Sequence, residues 1–515
     1  MKTRAEVAEL ADALDSKSSG ACAPCGFDSH LRHRPRTGSE LKARSNLSIL
    51  ARLRADASLW PSLRRTCNRV TEEEEAQVNR IGFLLLVATG AGVLAFAAAG
   101  CGGGGGGGGG GVTALSAASC GAIRYEGEGK PDVLIASDLP LQGANRSLTT
   151  EMADAVEFIL KQHGWKAGDK KVGFQSCDDS TAQAGSWDSA KCSANARSYA
   201  NDESVVGVVG TFNSGCAKLE IPVANRAPNG PLAYVSPANT YPGLTISGPG
   251  TESGEPDNYY PTNVRNYARV VWNDQFQGAA DAEFAKSIGL KKVYVLTDKE
   301  TYGNGIATLF VTYAKKLGIA TLPGRPEAWD KKASSYDAVA SKIKSSGADA
   351  VFLGGIVCNN GGKLVKDLRT ALGTGVTIFG PDGWTPISAT IDGAGQASEG
   401  MYITQPGIPS DQLKGAGKKF VADFTTQIGH APDPYTNYAA QAAEVLLGAI
   451  DDAKGNRADV AAKLFNRDVT GGNLGDFKID ENGDTTLGTV SVWQIKNQQP
   501  EFVKLITPEL SFVKG

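Results

Sequence analysis

The chain has 515 residues, 52 Lys and Arg against 55 Asp and Glu, a net charge of −3, and 41% hydrophobic residues. That length leaves room for more than one packed lobe. Downstream of residue 101 the balance is 38 basic to 44 acidic residues with no basic block, which offers little to nucleic acid or to an anionic membrane surface.

Residues 1–77 hold 13 basic and 11 acidic residues, no sustained apolar periodicity, and the run Glu72–Glu75. The run AELADALDSKSSG, followed by GFDSHLRHRP, resembles conceptual translation of a transfer-RNA gene. This leader is therefore expected to be foreign to the native protein, with Val78 as the intended start. Cys22, Cys25, His30 and His33 superficially have zinc-ligand spacing, but within such a leader the motif implies no metal site. Residues 81–99 form one unbroken apolar stretch, with Arg80 before it and Ala98-Ala99-Gly100-Cys101 closing it. A basic residue, an apolar core and small residues before a cysteine read as a bacterial secretory signal. Its end resembles a lipobox, with Cys101 as the lipidated first residue, although Ala98 stands where most examples have Leu. The alternative is an uncleaved signal anchor, since nineteen apolar residues just span a bilayer. The glycine run 102–111 has no side chains to bury and reads as a flexible tether. The tether region 102–131 would then hold a module on a lipid leash outside the cytoplasm.

From residue 132 the chain alternates strands and helices. Val133–Asp138 is a short apolar strand, and Leu148–Gly164 places Met152, Ala155, Val156, Ile159 and Leu160 on one helical stripe. Strand Lys171–Ser176, helix Ala190–Asn201, strand Val205–Gly210, a helix from Ser214 and strand Leu232–Ser236 follow. A second series opens near Asp274: helix 276–288, strand Lys292–Thr297, helix Gly305–Gly318, helix Ser335–Ser346, strand Ala350–Leu353, helix Lys363–Leu372 and strand Val376–Phe379. Apolar strands separated by amphipathic helices imply parallel sheets covered on both faces. Two such series imply an α/β protein of two doubly wound lobes. Asp178 and Asp179 read as a solvated turn with a helix N-cap, not as a metal or acid/base pair. Cys120, Cys177, Cys192, Cys216 and Cys358 are odd in number, so at least one is left over or makes an intermolecular link. Cys177 and Cys192, flanking the polar segment Asp178–Lys191, are expected to pair; the other three cannot be assigned.

Ligands of open parallel sheets bind beyond the carboxyl ends of the strands. After Val205–Gly210 comes Thr211-Phe212-Asn213-Ser214-Gly215-Cys216. Ser214 can cap the following helix, and the amides of Gly215 and Cys216 face an incoming anion. After Leu232–Ser236 comes Pro237-Ala238-Asn239-Thr240-Tyr241, a polar loop carrying Asn239 and the Thr240 hydroxyl. After Lys292–Thr297 comes Asp298-Lys299-Glu300-Thr301-Tyr302-Gly303, and after Val376–Phe379 comes Gly380-Pro381-Asp382-Gly383-Trp384. One series thus supplies hydroxyls and amides suited to a carboxylate. The other supplies an acid, Asp382, and aromatics such as Tyr302 and Trp384, suited to an ammonium and an apolar body. Together they suggest a zwitterionic ligand.

The segments SDLPLQG (137–143), CDDSTAQ (177–183), GTFNSGC (210–216), VSPANTY (235–241), TDKETYGNG (297–305), GPDGW (380–384) and SEGMY (398–402) resemble the branched-chain amino-acid-binding family of type I periplasmic solute receptors, which feed ATP-driven importers. The similarity runs from about Asp132 to Trp493. It implies that a ligand carboxylate meets Ser214, nearby loop amides and Thr240, while the ammonium meets Tyr302 and Asp382. The acid is often Glu in the family, so Asp382 has a shorter reach. An aromatic expected after the Ala350–Leu353 strand is missing, because Gly354-Gly355 is followed by Ile356. The family fold crosses between lobes three times, here near 267, 407 and 487. That gives lobe 1 as 132–267 with 407–486, and lobe 2 as 268–406 with 487–515. The implied partners are an amino acid or amide, the permease subunits of an ABC importer, and a membrane reached through the lipid anchor, with the module a monomer.

Catalysis is the rival class. The body's two histidines, His163 and His430, lie at no strand end, so Ser214 lacks an activating base. No Lys-Ser/Thr follows the polyglycine, so it is not a phosphate-binding loop. No cofactor and no enzyme are expected. A second alternative is a sensor of the same fold that signals to a receptor instead of a permease.

Overall fold

A computed structural model of the protein describes residues 112–514. The leader, the apolar stretch 81–99, Cys101 and the polyglycine lie outside the described residues. Among the described residues no helix is long and apolar enough to cross a membrane.

The first sheet begins with β1 (Val133–Leu139), buried at every position. Helix α1 (Arg146–Gln162) lays Met152, Ala155, Val156, Ile159 and Leu160 into the core, the face its apolar spacing demands. Then come β2 (Lys170–Asp178), α2 (Ser189–Asn201), β3 (Val205–Gly210), α3 (Ser214–Asn225), β4 (Ala233–Ser236) and β5 (Tyr267–Arg269). These strands lie in the order β2-β1-β3-β4-β5 and all run parallel.

The second sheet follows α4 (Asp274–Ser287). It comprises β6 (Lys292–Thr297), β7 (Ala320–Ala328), β8 (Ala350–Gly354), β9 (Thr377–Gly380) and β10 (Tyr402–Pro406), separated by α5 (Thr301–Lys316), α6 (Asp337–Ser346), α7 (Gly361–Leu372) and α8 (Ile387–Ala394). Beyond β10, the helices α9 (Gly415–Ile428), α10 (Pro434–Asp452) and α11 (Arg457–Ala462) return to the first sheet, α10 packing along α1. A separate hairpin, β11 (Arg467–Gly472) and β12 (Gly475–Ile479), comes next. The chain finally re-enters the second sheet through β13 (Val490–Lys496) and β14 (Gln499–Ile506), giving the order β7-β6-β8-β9-β10-β13-β14. The protein is therefore a two-lobed α/β fold whose chain passes between its sheets after Arg269, after Pro406 and before Val490.

Four local expectations are corrected. The second sheet is mixed, because β13 pairs antiparallel with β10 and with β14. Helix α5 starts at Thr301, four residues before the expected Gly305, which puts Tyr302 in its first turn. Asp179 is not on a solvated turn but wholly buried, while Asp178 accepts bonds from the Leu141 amide at 2.9 Å and Gln142 at 2.7 Å. The helix cap is Asp188, which accepts from the Ala190 and Lys191 amides. Finally, Cys177 does not pair with Cys192. Among the described residues the disulfides are Cys120–Cys177 and Cys192–Cys216, with Cys358 free. Cys177 lies inside β2, where the N-terminal segment bridges it antiparallel at Cys120. Cys192 belongs to α2, which packs against α3 and so meets Cys216.

Candidate functional site

The carboxyl ends of β3 and β4 in one lobe and of β6, β8 and β9 in the other converge on one pocket. Its walls are Phe212, Asn213, Ser214, Ala238 and Thr240 from the first lobe, Tyr302, Ile356, Asp382 and Gly383 from the second, and Tyr435 from α10. Of the expected site residues, Ser214, Thr240, Tyr302 and Asp382 meet here.

Ser214 is the first residue of α3; the N-cap position belongs to Asn213. The Ser214 Oγ accepts instead from the Tyr241 amide at 3.4 Å, which ties the two loops of the first lobe together. Thr240 is 1% exposed, and its hydroxyl has no hydrogen-bond partner among the described residues. On the opposite wall Tyr302 donates to Asp382 Oδ1 at 2.5 Å, and its hydroxyl accepts from the Gly383 amide at 3.0 Å. Tyr435 donates to the other oxygen of Asp382 from across the lobe boundary. Burial pushes the Asp382 carboxyl above its ordinary range, although both tyrosine hydroxyls favour its ionised form.

The remaining expected residues play other parts. Asn239 is fully buried within the first lobe, exchanging bonds with Thr211 at 3.2 Å and accepting from Tyr267 at 3.2 Å. Trp384 is also fully buried and donates to the Leu353 carbonyl at 2.8 Å, so it packs under β8 instead of facing the pocket. The Cys216 amide is taken up by the Asn213 carbonyl at 3.1 Å, and its sulfur by Cys192. Gly215 does not line the pocket; a Cβ there would come within 2.5 Å of the Trp187 ring.

Two acidic and aromatic groups escaped the sequence reading. Tyr435 lies far along the chain, in the first turn of a helix that opens at Asp433-Pro434. Asp274, the first residue of α4, is completely buried with neither carboxylate oxygen partnered among the described residues. It neighbours Thr240 and Asp382, and burial, reinforced by the Asp382 charge, raises its carboxyl well above the usual range. No basic side chain lines the pocket. A separate cleft of about 670 Å³ has Trp187 and Asp188 on one side and Glu300, Lys331 and Asn359 on the other.

Comparison with known proteins places this geometry. A family model described as "Periplasmic binding protein" matches residues 133–500. The Leu/Ile/Val-binding protein BraC3 of Rhizobium johnstonii is 25% identical over 386 residues, covering 74% of this chain and 96% of that protein. Among solved structures, the leucine binding protein LivK from Thermotoga maritima superposes with a TM-score of 0.63 at 24% identity, over 73% of this chain and 99% of that one. A solute binding protein from R. palustris in complex with benzoate gives 0.59 at 19% identity, over 73% and 96%. Two α/β lobes that meet at a pocket beyond their strand ends, and a family match spanning most of the chain, lead to one conclusion: this chain belongs to the periplasmic binding proteins, a family of solute receptors and not of enzymes.

Proposed function

We propose that the protein captures an amino acid, or a close analogue with a free ammonium, between its lobes and hands it to the permease of an ABC importer. The carrying observation is the buried Asp382 carboxyl in a pocket lined by no basic side chain, with a second buried carboxyl, Asp274, beside it. A desolvated carboxyl whose ionised form both tyrosine hydroxyls favour, with no cation in the pocket wall, suits a cationic group on the ligand. In this reading Asp382, oriented by Tyr302 and Tyr435, holds the ammonium with Asp274 behind it. The Ser214 hydroxyl at the start of α3 and the Thr240 hydroxyl in the loop after β4 receive the carboxylate. The side chain extends past Ile356.

The names of relatives such as BraC3 favour a branched-chain or other aliphatic amino acid, and the benzoate complex warns that the fold alone does not fix the cargo. We further infer that the lobes comprise 132–269 with 407–486 and 270–406 with 487–515, the first boundary falling after β5 and not at 267, and that lipidated Cys101 tethers the receptor outside the cytoplasm. Calorimetric titration with L-amino acids, their amides and their N-acetyl derivatives tests the reading. N-acetylation is expected to abolish binding; affinity unchanged by it would refute an ammonium at Asp382.

A further inference from the structure

Arg269 is a fully buried cation in neither the pocket nor an exposed ion pair. It ends β5, where the chain leaves the first sheet, and its backbone amide donates to the Gly483 carbonyl at 2.9 Å. Its Nε donates to Asp484 Oδ1 at 2.6 Å, and its Nη1 to the carbonyls of Asn239 at 3.0 Å and Tyr241 at 2.9 Å. Those carbonyls flank Thr240. Nη2 reaches the Thr245 hydroxyl, which itself donates to Asp484 at 2.9 Å. On its far side Asp484 accepts from Asn273 at 3.0 Å, and Asn273 in turn caps α4 by accepting from the Gln275 amide at 3.0 Å. The Asp274 amide closes the circuit by donating to the Thr240 carbonyl at 2.7 Å.

The circuit joins two of the three interlobe passages, at 269–274 and 483–489, to the loop that presents Thr240. A guanidinium suits this place because its planar fork fixes several donors at once, which an ammonium on a flexible stem does not. A buried pair of this kind is weak evidence for net stability, since desolvation offsets the attraction. A role in geometry is the better account.

We propose that Arg269 and Asp484 form a hinge clamp that couples the lobe angle to the positions of Thr240 and Asp274. Arg269 is then a positioning residue: it touches no ligand, and acts through the Thr240 loop. The clamp rests on the proposed site only for its effect on affinity.

The test is amide hydrogen exchange on ligand-free wild type and Asp484→Asn, which keeps the side chain's shape and removes its charge. The slow amides of β3 report global stability and serve as the internal reference. The clamp predicts exchange faster by about tenfold or more at Tyr241 and Asp274 together, relative to that reference. Faster exchange confined to 480–489 would overturn it. Should Asp484→Asn fail to fold, Thr245→Val removes the shared hydroxyl and is held to the same pattern. A parallel titration separates the two ideas. Coupled exchange with weakened amino-acid binding supports both, whereas coupled exchange with affinity unchanged supports the clamp and counts against the proposed site.

Discussion

Asp382 is the residue on which the pocket turns, because its two oxygens are held from two lobes by Tyr302 and Tyr435. Removing one partner of a desolvated charged contact costs roughly 2–5 kcal/mol, so Asp382→Ala is expected to weaken amino-acid binding by about 30-fold or more. Tyr435→Phe removes one hydroxyl and leaves the ring's edge-on contact with Phe212 in place. Its loss should be smaller, about tenfold, in line with a hydrogen bond to a charged group. Calorimetry on both variants checks the order; a Tyr435→Phe loss exceeding that of Asp382→Ala would contradict it. A second acid makes a statement about stability. Asp138, fully buried in β1, accepts from Asn195 at 2.9 Å, yet burial pushes its carboxyl from 3.8 up to about 6. Its folded value exceeds its unfolded one, so its contribution is complete below about pH 4 and is lost as pH rises through about 6. Denaturant titrations across that window should show stability declining more steeply in wild type than in Asp138→Asn. Parallel profiles would show that Asp138 does not hold its proton.

At the scale of elements, the two disulfides have separate jobs. Cys192–Cys216 closes a separation of 24 residues and ties α2 to the first turn of α3, two residues after Ser214. Cys120–Cys177 spans 57 residues and pins the N-terminal segment to β2, away from the pocket. In the chain-entropy picture they contribute about 3 and about 4 kcal/mol. Replacing either pair by alanines should lower the unfolding midpoint, but only the Cys192/Cys216 variant should also weaken ligand binding. Non-reducing peptide mapping should recover both links, with Cys358 alone among the described cysteines open to alkylation. The repeated strand–helix pattern was legible because each buried parallel strand is a run of apolar residues bounded by polar loops, as in Val205–Gly210, where observed and expected limits coincide. The strand-end loops holding Ser214, Thr240, Tyr302 and Asp382 followed from that topology. Cysteine partners did not, since proximity along the chain said nothing of which face of β2 Cys177 occupies. Tyr435 and Asp274 were equally hidden, each sitting at a helix start that only the packed lobes turn towards the pocket. The polar appearance of Asn239 misled for the converse reason, as its side chain is consumed inside its own lobe.

At the scale of the molecule, the proposed capture of a ligand depends on how closely the lobes approach. Besides the Tyr435–Asp382 bond, Asn145 donates to the Thr385 carbonyl at 2.9 Å and accepts from the Cys358 thiol at 2.6 Å. The ring of Tyr241, in the first lobe, lies against Gly305 on α5 in the second; a Cβ at Gly305 would stand 2.7 Å from that ring. The ring cannot swing aside freely, because its hydroxyl is fixed to the buried Glu255 at 2.6 Å. Gly305→Val is therefore expected to wedge the lobes apart while leaving each sheet intact, since the helix tolerates the substitution. A ligand that needs contacts from both walls binds only the closed arrangement, so its apparent affinity falls with the closed population. Small-angle scattering should show wild type contracting on saturation with amino acid, and Gly305→Val keeping a larger radius of gyration. Its affinity should be weaker by about tenfold or more. Asn145→Ala, which only removes two interlobe bonds, should shift the same equilibrium less. If Gly305→Val contracted as fully as wild type and bound as tightly, contact between Tyr241 and α5 would have no part in closure.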